Sequence, residues 1–184
     1  MLTVYIGWDS REPIAADVCK YSILEHASIP VDIVMLKQND LRKKGMYWRE
    51  VDKLASTEFT FTRFLVPELN NFKGTAIFMD SDMVLTTDIA ELISEVDPTK
   101  AVSCVQHNFI KDLSGTKMLD QQNVMYPRKN WSSLMLFNNA HPDCANLTPE
   151  TVNTKSGQWL HRLQWTTEVG KIPHTYNWCE GSCD

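Results

Sequence analysis

The stretch Ala76-Ile77-Phe78-Met79-Asp80-Ser81-Asp82-Met83-Val84-Leu85 constrains this chain most: an apolar run meets two carboxylates one residue apart and then turns apolar again. Four apolar residues of this kind read as a buried strand, so Asp80 and Asp82 leave its carboxyl end, where open α/β sheets place their ligands. Alternate residues of an extended chain point the same way, so both carboxylates can converge on one cation. Hard oxygens without neighbouring His or Cys suit Mn²⁺ or Mg²⁺ carried with a phosphate, not a structural zinc. A bare Asp-x-Asp arises by chance in a chain this rich in Asp. The apolar segments on either side give it weight, because charge at the edge of a core is costly without a cation.

With 184 residues, 43% of them hydrophobic and 22% charged, the chain suits one soluble α/β domain with a sizeable core. A net charge of -5 argues against a nucleic-acid partner, since phosphate backbones demand clustered Lys and Arg. The short run Arg42-Lys43-Lys44 reads as a solvated loop. No apolar run approaches the length of a membrane span, and the chain opens on a strand pattern rather than a signal peptide, which predicts a cytoplasmic protein. Five cysteines is an odd number; Cys19, Cys104 and Cys144 lie far apart, and Cys179 with Cys183 makes a weak pair, so all five are expected as free thiols. Asn130-Trp131-Ser132 and Asn146-Leu147-Thr148 match the glycosylation sequon incidentally.

Strand and helix patterns alternate along the chain. Leu2 to Trp8 reads as a first strand, then Pro13 opens a helix from Ile14 to His26, and Val31 to Leu36 gives a second strand. Lys37 to Lys53 is polar and reads as a long loop. A helix is expected over Phe59 to Leu69, then the strand ending at Asp80, then a short helix through Ile93 capped by Asp88. Ala101 to Val105 and Trp131 to Phe137 read as strands, and Thr148-Pro149-Glu150 starts a helix carried to about Leu163. With no repeat or linker, the expectation is one domain spanning residues 1–184, built on a mostly parallel sheet flanked by helices.

Beyond this frame, Asn130-Trp131-Ser132-Ser133-Leu134-Met135-Leu136-Phe137-Asn138 and Ile172-Pro173-His174-Thr175-Tyr176-Asn177-Trp178, with the first strand, Thr62-Arg63-Phe64 and the Asp-x-Asp, occur in a telling order. In these elements the chain resembles nucleotide-sugar glycosyltransferases of the GT-A fold, a Rossmann-like nucleotide-sugar binding fold, close to the glycogenin and bacterial galactosyltransferase group called family eight. The resemblance runs from Val4 to about Gly181. It implies transfer of a sugar from a nucleoside diphosphate sugar, a UDP-hexose, to a glycan or protein acceptor, with retention. It implies Mn²⁺ or Mg²⁺ on Asp80 and Asp82, which would neutralise charge on the departing β-phosphate. Asp9 and Arg11 fall where such enzymes hold the nucleotide, Arg63 where a diphosphate or sugar hydroxyl lies, and Ser81, Ser132, Ser133 and Asn177 around the donor. For Asp9 a helix cap is the competing role, and for Arg63 a salt bridge to Asp80 or Glu58. Trp131, Trp159, Trp165 and Trp178 offer sugar-stacking faces, although aromatics of this size mostly fill cores.

The departures are specific. Family-eight enzymes carry Asp-Gln-Asp before the closing Asn, where this chain reads Gln158-Trp159-Leu160-His161-Arg162-Leu163, with no carboxylate nucleophile. The family's third metal ligand, a His, comes from a closing segment that this chain is expected to lack; His161 and His174 are the available imidazoles. Phosphohydrolases of the haloacid dehalogenase group share the Asp-x-Asp after an apolar strand, but there it opens the domain, whereas here two strands and two helices precede it. A non-catalytic module that binds sugar nucleotides is the remaining alternative.

Overall fold

The structure, a computed structural model, describes residues 1–52, 55–107 and 128–179. Its centre is a six-stranded sheet in the order β2-β1-β3-β5-β4-β6. The strands are β1 (Leu2–Gly7), β2 (Val31–Leu36), β3 (Thr75–Met79), β4 (Val102–Val105), β5 (Leu134–Asn138) and β6 (Val169–Ile172). β1 runs parallel to β2 and β3, and β4 parallel to β6, while β5 is antiparallel to both its neighbours. The expected α/β domain with a mostly parallel sheet is what the chain forms.

The apolar runs look continuous in sequence because the central strands are covered on both faces, as in other α/β sheets. The period of two then sorts side chains into two cores. Val4, Ile6, Ile77, Met79, Leu134 and Leu136 pack beneath α1 (Pro13–His26) and α4 (Ile89–Ser94). Tyr5, Ala76, Phe78, Met135 and Phe137 face the opposite layer, built from a 3₁₀ turn (Thr62–Leu65), α3 (Val66–Leu69), α5 (Pro149–Thr154) and α6 (Gly157–His161). Register keeps the sorting consistent across strands, with Phe78 opposite Met135 and Ile77 opposite Leu136. A one-residue slip would turn every one of these side chains to the wrong layer.

Several elements differ from expectation, each for a local reason. The helix expected over Phe59 to Leu69 is a 3₁₀ turn followed by the single turn of α3, because Pro67 has no N–H to continue a helix and instead sits in a first turn. The loop expected from Lys37 to Lys53 holds α2 (Gln38–Lys43), which buries only Leu41 and so shows no apolar period. The helix from Thr148 breaks at Lys155 and Ser156, both extended; the Ser156 hydroxyl caps a second helix by accepting from Trp159 N–H. Arg49 takes over the end of α5, donating to the carbonyls of Val152 (3.0 Å) and Lys155 (2.7 Å). The strand expected from Trp131 begins at Leu134, since Asn130 is left-handed (φ 63°) and ends a turn there. Asp88 caps α4 as expected, its carboxylate accepting from Ala90 N–H.

Cys19, Cys104 and Cys144 are buried, unpaired thiols, each pushed up to about 12 by burial. Cys183 lies outside the described residues. Among the described residues no helix is long and apolar enough to cross a membrane.

Candidate active site

From β1 the chain leaves through α1 on one face to β2; from β2 it returns across the other face to β3, on the far side of β1. The carboxyl ends of β1 and β3 therefore flank the crevice of a doubly wound sheet. Asp9 and Arg11 follow β1, and Asp80 and Asp82 follow β3, so topology alone brings these four residues to one rim.

Asp80 is anchored through both its backbone and its side chain. Its N–H donates to Ser133 O (2.8 Å), fixing the chain as it leaves the sheet. Its Oδ1 accepts from Arg63 Nη1 at 2.8 Å, and the same nitrogen donates to Ser132 O at 2.8 Å. Arg63 is buried, its Nε directed at the carbonyls of Phe59 and Thr60 and its guanidinium stacked 4.8 Å from the Phe78 ring. The acceptors that its Nε and Nη1 find offset the cost of burying this guanidinium. Of the roles weighed for Arg63, the ion pair with Asp80 is the one formed. Even so, burial pushes the Asp80 carboxyl up to about 7, Arg63 opposing the rise and the Asp82 charge adding to it.

The network continues on the other side of Ser132. Its hydroxyl lies 2.8 Å from His161 Nδ1, and the imidazole stands edge-on to Phe64 with centroids 5.2 Å apart. One hydrogen-bonded line thus runs from Asp80 through Arg63 and Ser132 to His161. The sequence offers His161 only as an available imidazole. Its link to Ser132 spans 29 positions and depends on the broken helix, which no local pattern encodes.

At the end of β1, Asp9 does not cap α1, whose cap position is Glu12. Its carboxylate instead accepts the N–H and Nε of Arg11 (3.0 and 2.8 Å) and the N–H of Glu58 (3.1 Å). Burial alone would raise Asp9, but these hydrogen bonds and the Arg11 charge prevail and hold it below the usual carboxylate range. Arg11 reaches on to Ser56 O at 2.7 Å, so the two residues clamp the 56–58 segment to the sheet. Gly7 permits this approach: a Cβ there would stand 2.5 Å from the Phe59 ring.

Ser133 and Asn177 are brought together. Asn177 Nδ2 donates to Ser133 Oγ (2.8 Å), and Ser133 Oγ donates to Asn130 O (2.7 Å), which lashes the 3₁₀ turn His174–Asn177 to the turn before β5. Ser81 is buried, while Asp82 is exposed. Asp80, Asn130 and Ser133 form a shared wall between two cavities. One, of about 450 Å³, holds Arg63, Ser132, Gln158 and His161, and it meets a smaller trough carrying Arg11 and Arg42 at Asp52, Ala55 and Phe61. The other, of about 600 Å³, holds Asp82, Tyr176 and Trp178. Of the four tryptophans considered from sequence, Trp165 is buried against Phe137, whereas Trp178 opens onto a cavity.

The donor set fits a hard divalent cation. Among the described residues Asp80 Oδ2 accepts no hydrogen bond, its carboxyl is held high by burial and by Asp82, and both carboxylates open on the same cavity. A cation would relieve that cost. Among the described residues no group of three or more His, Cys, Asp or Glu stands ready to hold a metal, which leaves Asp80 and Asp82 as the candidate ligands there.

Comparison with solved structures gives the class of fold. The chain superposes on the glycosyltransferase GlyE of Streptococcus pneumoniae TIGR4 (TM-score 0.57, 14% identity, 95% of this chain and 46% of that one). It matches mouse xyloside xylosyltransferase 1 (0.56, 12%, 95% and 86%) and the galactosyltransferase LgtC (0.55, 11%, 94% and 73%) to similar extents. The fold is GT-A-like, that of glycosyltransferases, and the chain spans less than half the length of GlyE. No protein-family model matches the chain. It is 47% identical over 180 residues to Protein CDI of Arabidopsis thaliana, covering 97% of this chain and 69% of that protein. The chain belongs to the Protein CDI family.

Proposed function

We propose that this chain is a divalent-metal-dependent glycosyltransferase that moves a hexose from UDP to a glycan or protein acceptor, with retention at the anomeric carbon. The observation that carries the reading is the pair Asp80 and Asp82 at the switch point of a GT-A-like sheet, the first anchored by Arg63 with one carboxylate oxygen unengaged. The mouse xylosyltransferase and LgtC, whose structure was solved with donor and acceptor sugar analogues, have sugar transfer in their names, which supports the class of donor. Retention rests on the family-eight resemblance. The phosphohydrolase reading is disfavoured by position, since the motif follows the third strand and not the first.

The residues divide the work. Asp80 and Asp82 would hold Mn²⁺ or Mg²⁺, which supplies Lewis-acid neutralisation of charge on the departing β-phosphate. Arg63 keeps Asp80 in place and adds positive charge beside the diphosphate. Asp9 and Arg11 close the β1 side, where Arg11 faces the trough that suits the nucleotide. Ser81 follows β3 and Ser132 and Ser133 precede the antiparallel β5 on the same rim, where they would face the donor sugar, and Asn177 holds Ser133 in place.

The test is thermal unfolding with Mn²⁺, UDP and both. A shared site makes the joint shift larger than the sum of the separate ones. Additive shifts would sink the shared site, and failure to release UDP from any of a panel of UDP-sugars with Mn²⁺ would sink the activity.

A further inference from the structure

We infer that the outer face of α1 docks against a second copy of this chain, the two helices packing antiparallel about a twofold axis at Val18. The helix is apolar on both sides. Ala16, Cys19 and Ile23 are buried against the sheet, the one stripe that the fold itself requires. On the opposite side Ile14 is 75% exposed, Val18 48%, Tyr21 68% and Leu24 48%. Single apolar residues on a surface need no partner, but these recur at steps of four, three and three along the helix and so form one patch.

Charge selects the occupant. Asp17 and Lys20 lie on one flank of the patch, both exposed, and among the described residues neither takes part in an ion pair. In an antiparallel pair centred on Val18, Asp17 comes level with Lys20 of the second copy, and by symmetry Lys20 comes level with its Asp17. Ile14 then packs on Tyr21 of the second copy and Val18 on its own equivalent. Glu25 falls past the start of the other helix at Pro13 and stays in water. A parallel pair in register would instead set Asp17 against Asp17 and Lys20 against Lys20. One stretch of sequence thus supplies both halves of a self-complementary surface, as an isologous interface demands. The 14 residues of α1 span about 21 Å, so a single helix pair makes a small interface and a dimer of micromolar strength. α1 begins just after Asp9, at the rim of the candidate site, so the antiparallel pair sends the two rims to opposite ends and leaves both open. No residue of α1 lines either cavity or the trough, which makes the inference independent of the glycosyltransferase reading.

Sedimentation velocity on this chain across roughly two decades of micromolar concentration tests this. The wild type should pass from monomer to dimer. Val18→Glu sets two like charges on the axis and should weaken association by about tenfold or more, with the melting temperature of the dilute protein preserved because residue 18 is half exposed in the monomer. Asp17→Lys and Lys20→Asp each give the flank a single sign, and each alone should self-associate more weakly than the wild type. An equimolar mixture of the two should associate again, because each supplies the charge that the other lacks. A wild type that stays monomeric throughout, association indifferent to Val18→Glu, or a mixture that associates no better than either reversal alone would overturn the inference. Binding of the monomer to neutral phospholipid vesicles through the same stripe would overturn it too, by naming a different occupant.

Discussion

The two sides of Asp80 are built to different standards. Toward β1, the charges described above are engaged: buried Arg63 with Asp80 and Ser132, and buried Asp9 with the exposed Arg11 and the Glu58 N–H. Toward the 3₁₀ turn His174–Asn177, Asp82 is exposed and Trp178 half so, and order comes from the Asn177 tether. Charge that must stay fixed is held by redundant bonds. On the other side an open surface rests on a braced frame.

The sharpest way to break the contrast is Arg63→Met. It leaves the half-buried Asp80 carboxylate and Ser132 O without their donor, a loss of about 3 kcal/mol for a broken buried pair. Urea unfolding at pH 7.5 measures it, and the loss should shrink at pH 5, where Asp80 escapes by taking a proton. Equal loss at both values would mean that packing, not charge, is what Arg63 supplies. Gly7→Ala should cost roughly 2 kcal/mol by overpacking against Phe59, which is buried and cannot swing away. Because Phe59 adjoins Glu58, whose N–H the Asp9 carboxylate holds, the variant should weaken UDP binding; unchanged UDP affinity would show that the β1 side does not carry the nucleotide.

The two anchored carboxylates should also give stability opposite slopes with pH. Folded Asp80 binds its proton more tightly than the unfolded chain does, so its contribution is complete below the ordinary 3.8 and is lost as pH rises through about 7. Asp9 is held low, so its contribution is present above 3.8 and is lost as pH falls through its folded value. Metal-free protein should therefore lose up to about 1 kcal/mol per pH unit between pH 5 and 7. Asp80→Asn should flatten that slope, and Mn²⁺ with UDP should reverse it, since metal ions displace the proton. A flat wild-type profile would show Asp80 to be solvated.

Much of this architecture was legible beforehand. Hydrophobic runs located β1, β2 and β3 to within a residue or two, and Asp88 and Thr148 announced their helices through caps. What stayed hidden was non-local. The break after Thr154 is decided by Arg49 and Asn153, which bind across about a hundred positions, and α2 is too polar to show a period. At the site, Arg63, Asp80 and Ser132 were each marked by strand ends or by an isolated charge among apolar neighbours. That one guanidinium nitrogen serves both Asp80 and Ser132, and that Ser132 then meets His161, follows from sheet order, with β5 inserted antiparallel beside β3.

The smallest expected change in stability comes from Asp82→Asn, and it separates the two sides most cleanly. Asp82 is exposed, so its removal breaks no buried contact, and surface changes of this kind usually stay within about 0.5 kcal/mol. The sign should be stabilising at neutral pH, because the Asp82 charge helps to raise the Asp80 carboxyl and its loss lets Asp80 ionise more easily beside Arg63. The fold should then melt at the same temperature or slightly higher, while the joint shift with Mn²⁺ and UDP disappears and sugar transfer with it. If the variant instead unfolds, Asp82 is a structural residue and the cation site must be sought elsewhere. If it keeps the joint shift, Asp80 holds the cation without Asp82.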